Sequence, residues 1–519
     1  MKDHLKFIAY KDCFKCMESS TKLCSYYSKY NQVQRVENQK FPSITVSKFL
    51  SYYYKDKSDI NFWSQLKFQR FSSIEHLTSY ILNSDNIQAS QLVGECKWDL
   101  GKLPQIKHLV SENEDLLANT PDIDSRIGKV CSNSLKIIQI IFNTNIWGKL
   151  IHTYIIHYHR YEAIFYLKDF DLNTIPQSLL NAIYCLGYIY FDQKSDHLTQ
   201  YMDQLGNINY KMIKFKPSLT NIQALFIHQY ILYSQGKITE ARSCLLHITK
   251  MCYILGFHRN TTKLSKSTIN TRNLVYTKVL YLHLTMTKVH KVNLNFQIDL
   301  PDINKICYNR EWQLLPKETA QKISLKEEEI TLISTLTNLE NQFIDRSRLH
   351  LIFPSVESYT NDQIYKICIE KCYSLRLSHS IYISGYELLS NSYPEYSELI
   401  EFDREAFEAY TLVLSILIFE YGRSKSKGIN HSIVRKMMNL CEELIMIALT
   451  RDTGYFLQYD IYTTVFTCVK LFKYLRQSQQ TKLISNLTVV KKILSNNLSS
   501  SNLLIYLLFD KSLELIKKL

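Results

Sequence analysis

The sequence predicts an all-α protein, a multi-helical array of antiparallel helix pairs. Three observations carry that expectation. Only 12 Gly and 9 Pro occur in 519 residues, against roughly 12% for the two together in ordinary proteins. Collagen-like, Pro-rich and sandwich-type all-β chains need more turn residues than that. Apolar residues recur at three- and four-residue steps over long stretches, whereas sustained alternation is absent. Finally, 46% hydrophobic residues, with 37 Tyr and 24 Phe, supply enough apolar surface for a large core and argue against wholesale disorder.

The elements follow in order. Residues 1–60 form a basic, Cys-containing tail. Residues 61–125 read as a linker with short helices: Phe62, Leu66, Phe68, Ile74, Leu77 and Ile81 carry a helical pattern, and Gly101, Pro104 and Pro121 interrupt the acidic stretch behind it. Strong periodicity begins after Arg126. Ile146, Leu150, Tyr154, Ile155 and Tyr158 share a face, and Pro176 opens a helix over Gln177 to Phe191. The break at Pro217 precedes Leu219 to Ser234. Gly236 separates that helix from Ile238 to Leu255, which Gly256 closes. A helix over 273–291 stops at Leu300-Pro301-Asp302. Beyond it, Lys326 to Ile344, Val356 to Leu389, Tyr396 to Glu420, Ile433 to Leu449, Tyr455 to Arg476, and Lys482 to the end read as helices. The array is expected to occupy 126–310 and to continue through 311–519.

The formal charge is +14, from 62 Lys+Arg against 48 Asp+Glu. A basic excess suits nucleic acid, but no run of five or six cations occurs and the charge is spread along the chain. A lysine-rich solvated helical surface accounts for it. Met1 to Tyr10 lacks the apolar core of a secretory signal. The most apolar stretch, Leu412 to Phe419, is about half the length a membrane span needs. No membrane association and a reduced intracellular setting are expected, and 13 scattered cysteines fit reduced thiols.

Catalytic signatures are missing. There is no Walker-type loop, no G-x-S-x-G, no H-E-x-x-H and no dinucleotide fingerprint, so the sequence is not expected to be an enzyme. His152, His157 and His159 lack the i, i+3 or i, i+4 step of a metal pair and read as packed helix residues. Cys368 and Cys372 have that step but no partners nearby, and read as buried thiols. In the tail, Cys13-x2-Cys16 followed by Cys24 has the opening spacing of a zinc site, with Lys15 and Lys22 beside it as candidate phosphate contacts. Three thiolates leave the fourth position of a tetrahedral ion open. A bound zinc and unliganded cysteines in a tail both remain open, the latter requiring fewer assumptions.

The segment from Trp147 to about Asn304 resembles the middle homology, or regulatory, domain of fungal zinc-cluster transcription factors. The aromatic stretch from Lys149 to His159 is similar to its opening helix, with Arg160 to Phe165 in place of a proline-containing patch. Leu179 to Tyr190, with Leu186-Gly187 inside it, is similar to its leucine-glycine helix. Leu219 to Leu225, Gln235 to Arg242 and Met251 to Arg259 follow its most characteristic stretches, and Arg272 to His290 with Ile298 to Ile303 parallels its exit. Most of these positions speak of packing. Ala224 and Ala241 permit close helix approach, and Gly256 supplies a left-handed cap. His258 and Arg259 stand where a cation complements a helix C-terminus.

The resemblance implies a nuclear transcription regulator, with the cytoplasm as the other compartment, acting through protein–protein interaction. Its implied partners are transcription-related proteins, an intact family member or a second copy in a homodimer. Zinc is the cofactor it implies at the tail. In the family a six-cysteine cluster with a basic helix binds DNA. Here Cys13, Cys16 and Cys24 match only the first half, and Met17 to Leu23 has one lysine and one glutamate, so the cluster is degenerate and direct DNA binding through it is doubtful. The other expectation is a tetratricopeptide-like scaffold, since residues 224–257 resemble one such repeat, although no second copy is evident at that period.

Overall fold

A computed structural model describes residues 71–83, 103–118, 144–191, 194–235, 237–259, 263–284, 302–353, 359–450, 458–496 and 502–518, with 89, 92, 93, 286 and 498 as isolated positions. Among them the regular elements are all helical, with no strand, in agreement with the predicted class. Met1–Phe68 separates as its own unit from Gln69–Leu519, and the zinc-spaced Cys13, Cys16 and Cys24, with Lys15 and Lys22, lie outside the described residues.

In the linker, α1 covers Ile74–Leu82, capped by the Ser73 hydroxyl accepting from His76 N, and α2 covers Pro104–Ser111. Pro104, a break in the sequence pattern, stands instead in the first turn of a helix, where its missing N–H costs nothing. The array proper begins with α3, Thr144–Tyr154, which runs straight into a π turn over Ile155–His159. Then come α4 (Gln177–Ile189), α5 (Asp196–Ile213), α6 (Leu219–Ser234), α7 (Ile238–Ile254) and α8 (Lys266–Leu284). The second half holds α9 (Glu327–Leu349), α10 (Asn361–Ser392), α11 (Ser397–Lys425) and α12 (His431–Thr450). It ends with α13 (Gln458–Leu471), α14 (Gln477–Ser495) and α15 (Leu503–Lys517).

Joints of a few residues between α6 and α7, α10 and α11, and α11 and α12 fold consecutive helices back on one another. The predicted α7 terminus forms as expected. Gly256 takes φ +66°, and Phe257 N–H reaches Cys252 O at 2.9 Å, the six-to-one bond of a Schellman cap. The cation that complements this terminus is not His258 or Arg259, however. Arg259 turns to His258, while Arg272 on α8 donates to Leu255 O and Gly256 O at 3.2 and 2.8 Å. A guanidinium one helix away reaches both orphan carbonyls, which the adjacent side chains do not.

Sequence periodicity did not mark α5. Its buried residues are only Leu198, Met202, Asn209 and Ile213, and one of those is polar. The Ser195 hydroxyl starts it by accepting from Leu198 N. The last predicted helix, Lys482 to the end, is two helices, α14 and α15. The predicted helix over 273–291 is α8, which begins seven residues earlier, at Lys266.

Close approach is built from small residues. Ala224 on α6 and Ala241 on α7 are fully buried, as the pattern anticipates. Gly187 on α4 sits directly against the Leu150 carbonyl of α3, and a Cβ there would overlap that oxygen. One large core gathers α3 to α8 with the first turns of α9, through Tyr154, Ile155, Leu186, Leu225, Ile248 and Val275. A second cluster joins α9, α10 and α11 through Leu336, Phe343, Tyr382 and Phe407. Gly187→Ala is expected to destabilise the protein by about 1–3 kcal/mol, because backbone rather than a flexible side chain must yield. Gly206→Ala in α5 meets Cys185 Sγ at 3.4 Å and His228 Cε1 at 3.9 Å, both ordinary contacts, so it should be neutral or gain up to about 1 kcal/mol from helix propensity. Urea denaturation of the two variants side by side measures the difference.

Candidate functional site

The site starts from a register change. At the end of α3 the hydrogen bonding steps from four residues to five, and Arg160 N–H reaches Ile155 O at 3.3 Å. Such π turns are commonly found at functional sites. Here the extra residue turns His159 and Arg160 into the interior and sets Tyr158, Tyr161 and Glu162 along one wall. His159 is buried between Tyr154 Oη and Gln313 Oε1, and burial pushes its pKa down to about 3. His157 faces out and stacks on Tyr190. Of the three histidines only His159 is fully buried, and among the described residues no group of three or more His, Cys, Asp or Glu could hold a metal ion.

Arg160 is almost wholly buried, and its guanidinium bridges two carboxylates, Glu340 on α9 at 2.6 Å and Asp403 on α11. Tyr386 Oη donates to Glu340 at 3.2 Å and Tyr161 Oη to Asp403 at 2.9 Å. One cation cannot balance two desolvated anions. Burial, opposed by Arg160 and reinforced by Asp403, lifts Glu340 to about 8, well above the usual carboxylate range.

A second group lies one turn on. Lys278 on α8, fully buried, contacts Asp345 at 2.9 Å, Asn341 Oδ1 at 3.0 Å and Glu162 at 3.2 Å. Arg348 clamps Glu162 with two bonds of 2.6 and 3.2 Å. Despite burial, these two cations draw Glu162 down to about 2. Tyr308 Oη completes Asp345 at 2.7 Å. Asn341 closes the backbone at the turn: it accepts from Ala163 N and donates to Arg160 O. Asn341, Asp345 and Arg348 occupy one face of α9 at four- and three-residue steps.

Beside this network is a cavity of about 310 Å³, at the small end of ligand pockets. The π turn and the residues after it give His157, Tyr158, Tyr161 and Glu162. Helix α6 contributes Phe226, Gln229, Tyr230 and Tyr233, and α8 contributes Lys278 and Leu282, with Met286 beyond its end. Ile344 and Arg348 come from α9, Phe402, Ala406, Phe407 and Tyr410 from α11, and Asp460 from α13. The wall is mostly aromatic. Tyr158 and Tyr230 rings meet at 4.6 Å, and Phe407 lies 6.1 Å from Tyr161 and 6.5 Å from Tyr410. Phe402, 44% exposed, stands on the solvent side.

Two buried polar atoms on this wall are unsatisfied among the described residues. Tyr158 Oη and Gln229 Nε2, on side chains 3% and 2% exposed, have no hydrogen-bond partner. Asp460, partly buried, lines the same wall, and desolvation raises its carboxyl to about 7. Buried polar atoms are nearly always paired, so such a cluster on a cavity wall indicates missing ligand atoms or water.

Sequence reasoning named none of these ionic residues. The available signal was the spacing of Asn341, Asp345 and Arg348 along one face of α9. Cys368 and Cys372 are buried thiols that point at Ile418 O and Ser415 O of α11 at 3.6 and 3.9 Å, and burial raises them to about 12 and 11. All eight described cysteines are separate thiols. No described helix is long and apolar enough to cross a membrane.

Comparison of the chain with protein-family models, with curated proteins and with solved structures finds no match.

Arg160→Met leaves Glu340 and Asp403 buried without their cation and should cost about 3–5 kcal/mol. Arg348→Met, whose site is partly solvated, should cost less, and urea midpoints rank the two. The pH dependence follows from the shifts. Glu340 binds its proton more tightly folded than unfolded, so its contribution to stability is full below the unfolded value of 4.5 and is lost as pH rises toward 8. Glu162 acts oppositely: its contribution is present above 4.5 and is lost as pH falls toward 2. Glu340→Gln, a mimic of the protonated acid, should flatten the decline between pH 5 and 8 by up to about 1.4 kcal/mol per pH unit. Denaturation at three pH values in that window measures the slope.

Proposed function

We propose that this chain is a transcription-regulator-like protein of the fungal zinc-cluster type, working in the nucleus through protein contacts. Its helical array would respond to a small-molecule effector, and direct DNA binding would play no necessary part. The observation that carries the effector reading is the aromatic cavity with its unsatisfied Tyr158 and Gln229. It draws on the segment from Trp147 to about Asn304 that resembles the regulatory domain and on α9, α11 and α13 behind it. An occupant touching both halves changes how they pack, which is the kind of differential contact a ligand-driven switch requires.

A second reading, a tetratricopeptide-like scaffold for protein–protein interaction, is favoured by one feature. Tyr373, Leu377, Ile381 and Leu388 on α10 are 55–69% exposed and recur at helical steps. A stripe of that kind suits a helical partner.

The two readings separate in a reporter assay. The full chain is fused to a heterologous DNA-binding domain upstream of a reporter gene. The regulator reading expects output that differs from the DNA-binding domain alone, and Ala406→Phe, which fills the cavity away from the ion network, should alter that output at equal protein level. Output identical to the DNA-binding domain alone would count against a regulator. Loss of partner capture in Ile381→Glu, with the reporter silent throughout, would then favour the scaffold.

A further inference from the structure

The geometry points to the cavity between α6, α8, α11 and α13 as a site for a small organic cation, an amine or quaternary ammonium group carried on an apolar body. The inference deepens the effector reading above and names the chemistry of the ligand.

Charge bookkeeping around the cavity decides the sign. Lys278 and Arg348 are the cations on its wall, and both are already neutralised. Lys278 is held by Asp345 and Glu162 at 2.9 and 3.2 Å, and Arg348 grips Glu162 through two bonds. Two cations and two carboxylates leave no positive charge for an anionic ligand. Asp460 is the remaining carboxyl on the wall, and it stands outside both ion groups. A ligand anion would face this carboxyl, and a neutral apolar ligand would leave it desolvated. A ligand cation restores its charge.

The rest of the wall suits the same class. Tyr158, Tyr230, Phe407 and Tyr410 offer ring faces, and rings around a desolvated cation attract it through their quadrupoles. The unpartnered Tyr158 Oη gives an ammonium N–H an acceptor, while a quaternary group needs only the faces. Leu282, Met286 and Ile344 accept the apolar body of the ligand.

The test uses the full chain and three probes of nearly one shape. Phenyltrimethylammonium is the cation, tert-butylbenzene its uncharged isostere, and benzoate the anion, each titrated by calorimetry with thermal melting alongside. Saturable binding of phenyltrimethylammonium is expected, with the other two at least about tenfold weaker. Asp460→Asn should lose on the order of tenfold in affinity for the cation while its circular dichroism and melting without ligand stay close to those of the parent. Equal binding of tert-butylbenzene, tighter binding of benzoate, or an Asp460→Asn protein that binds the cation unchanged would overturn the assignment. Failure of all three probes, with Ala406→Phe still altering reporter output, rejects the cation and leaves the effector reading in place. Failure of the probes together with an unresponsive reporter rejects both.

Discussion

Burying Arg160 imposes a constraint that much of the array obeys. A guanidinium out of water has to be matched by charge and by hydrogen bonds, because an unpaired buried ion costs several kcal/mol. Glu340 and Asp403 come from helices far apart in sequence, so satisfying this one side chain fixes α9 and α11 against the end of α3. Lys278 and Arg348 repeat the arrangement with Glu162 and Asp345, and this brings in α8. The π turn belongs to the same constraint. It places Arg160 inward, and the backbone groups it frees are met by Asn341, which serves Arg160 O and Ala163 N together.

The cavity is a consequence of that junction. Where the ionic residues close among themselves, the neighbouring wall is left to tyrosines and phenylalanines, whose flat rings do not interdigitate as aliphatic side chains do. The charge left over is the Asp460 carboxyl, contributed by a helix outside the two ion groups. Network and cavity therefore have different sensitivities. The first governs stability and its pH dependence, and the second can be filled or altered at Ala406 or Asp460 without touching Arg160.

Most helices were legible in the sequence, and for identifiable reasons. Pro176 before Gln177, Ser218 before Leu219 and Gly256 after Leu255 are local signals whose stereochemistry leaves few options, and each marks a boundary in the structure. Ala224 and Ala241 were readable as close contacts because small residues amid large apolar ones imply approach, whereas the contact at Gly187 was not read. Helix α5 was not readable, since a surface helix with so few buried positions has almost no apolar period to detect. The site was less legible still. Lys278 lies inside a helix with polar and apolar residues all round, and nothing near it in the chain names Asp345, 67 residues away, as its partner.

The sequence by itself determined the class of this protein: an all-α array, with its helix ends punctuated by scarce proline and glycine. Those properties are local, fixed by backbone stereochemistry and by side-chain spacing along a few turns. Only the tertiary structure decided which charges would be buried together, that α3 would end in a π turn, and that an aromatic cavity with a further carboxyl on its wall would form beside them. Electrostatic neutralisation and cavity shape depend on residues brought together from six separate helical segments, and that information lies in their packing rather than in any one of them.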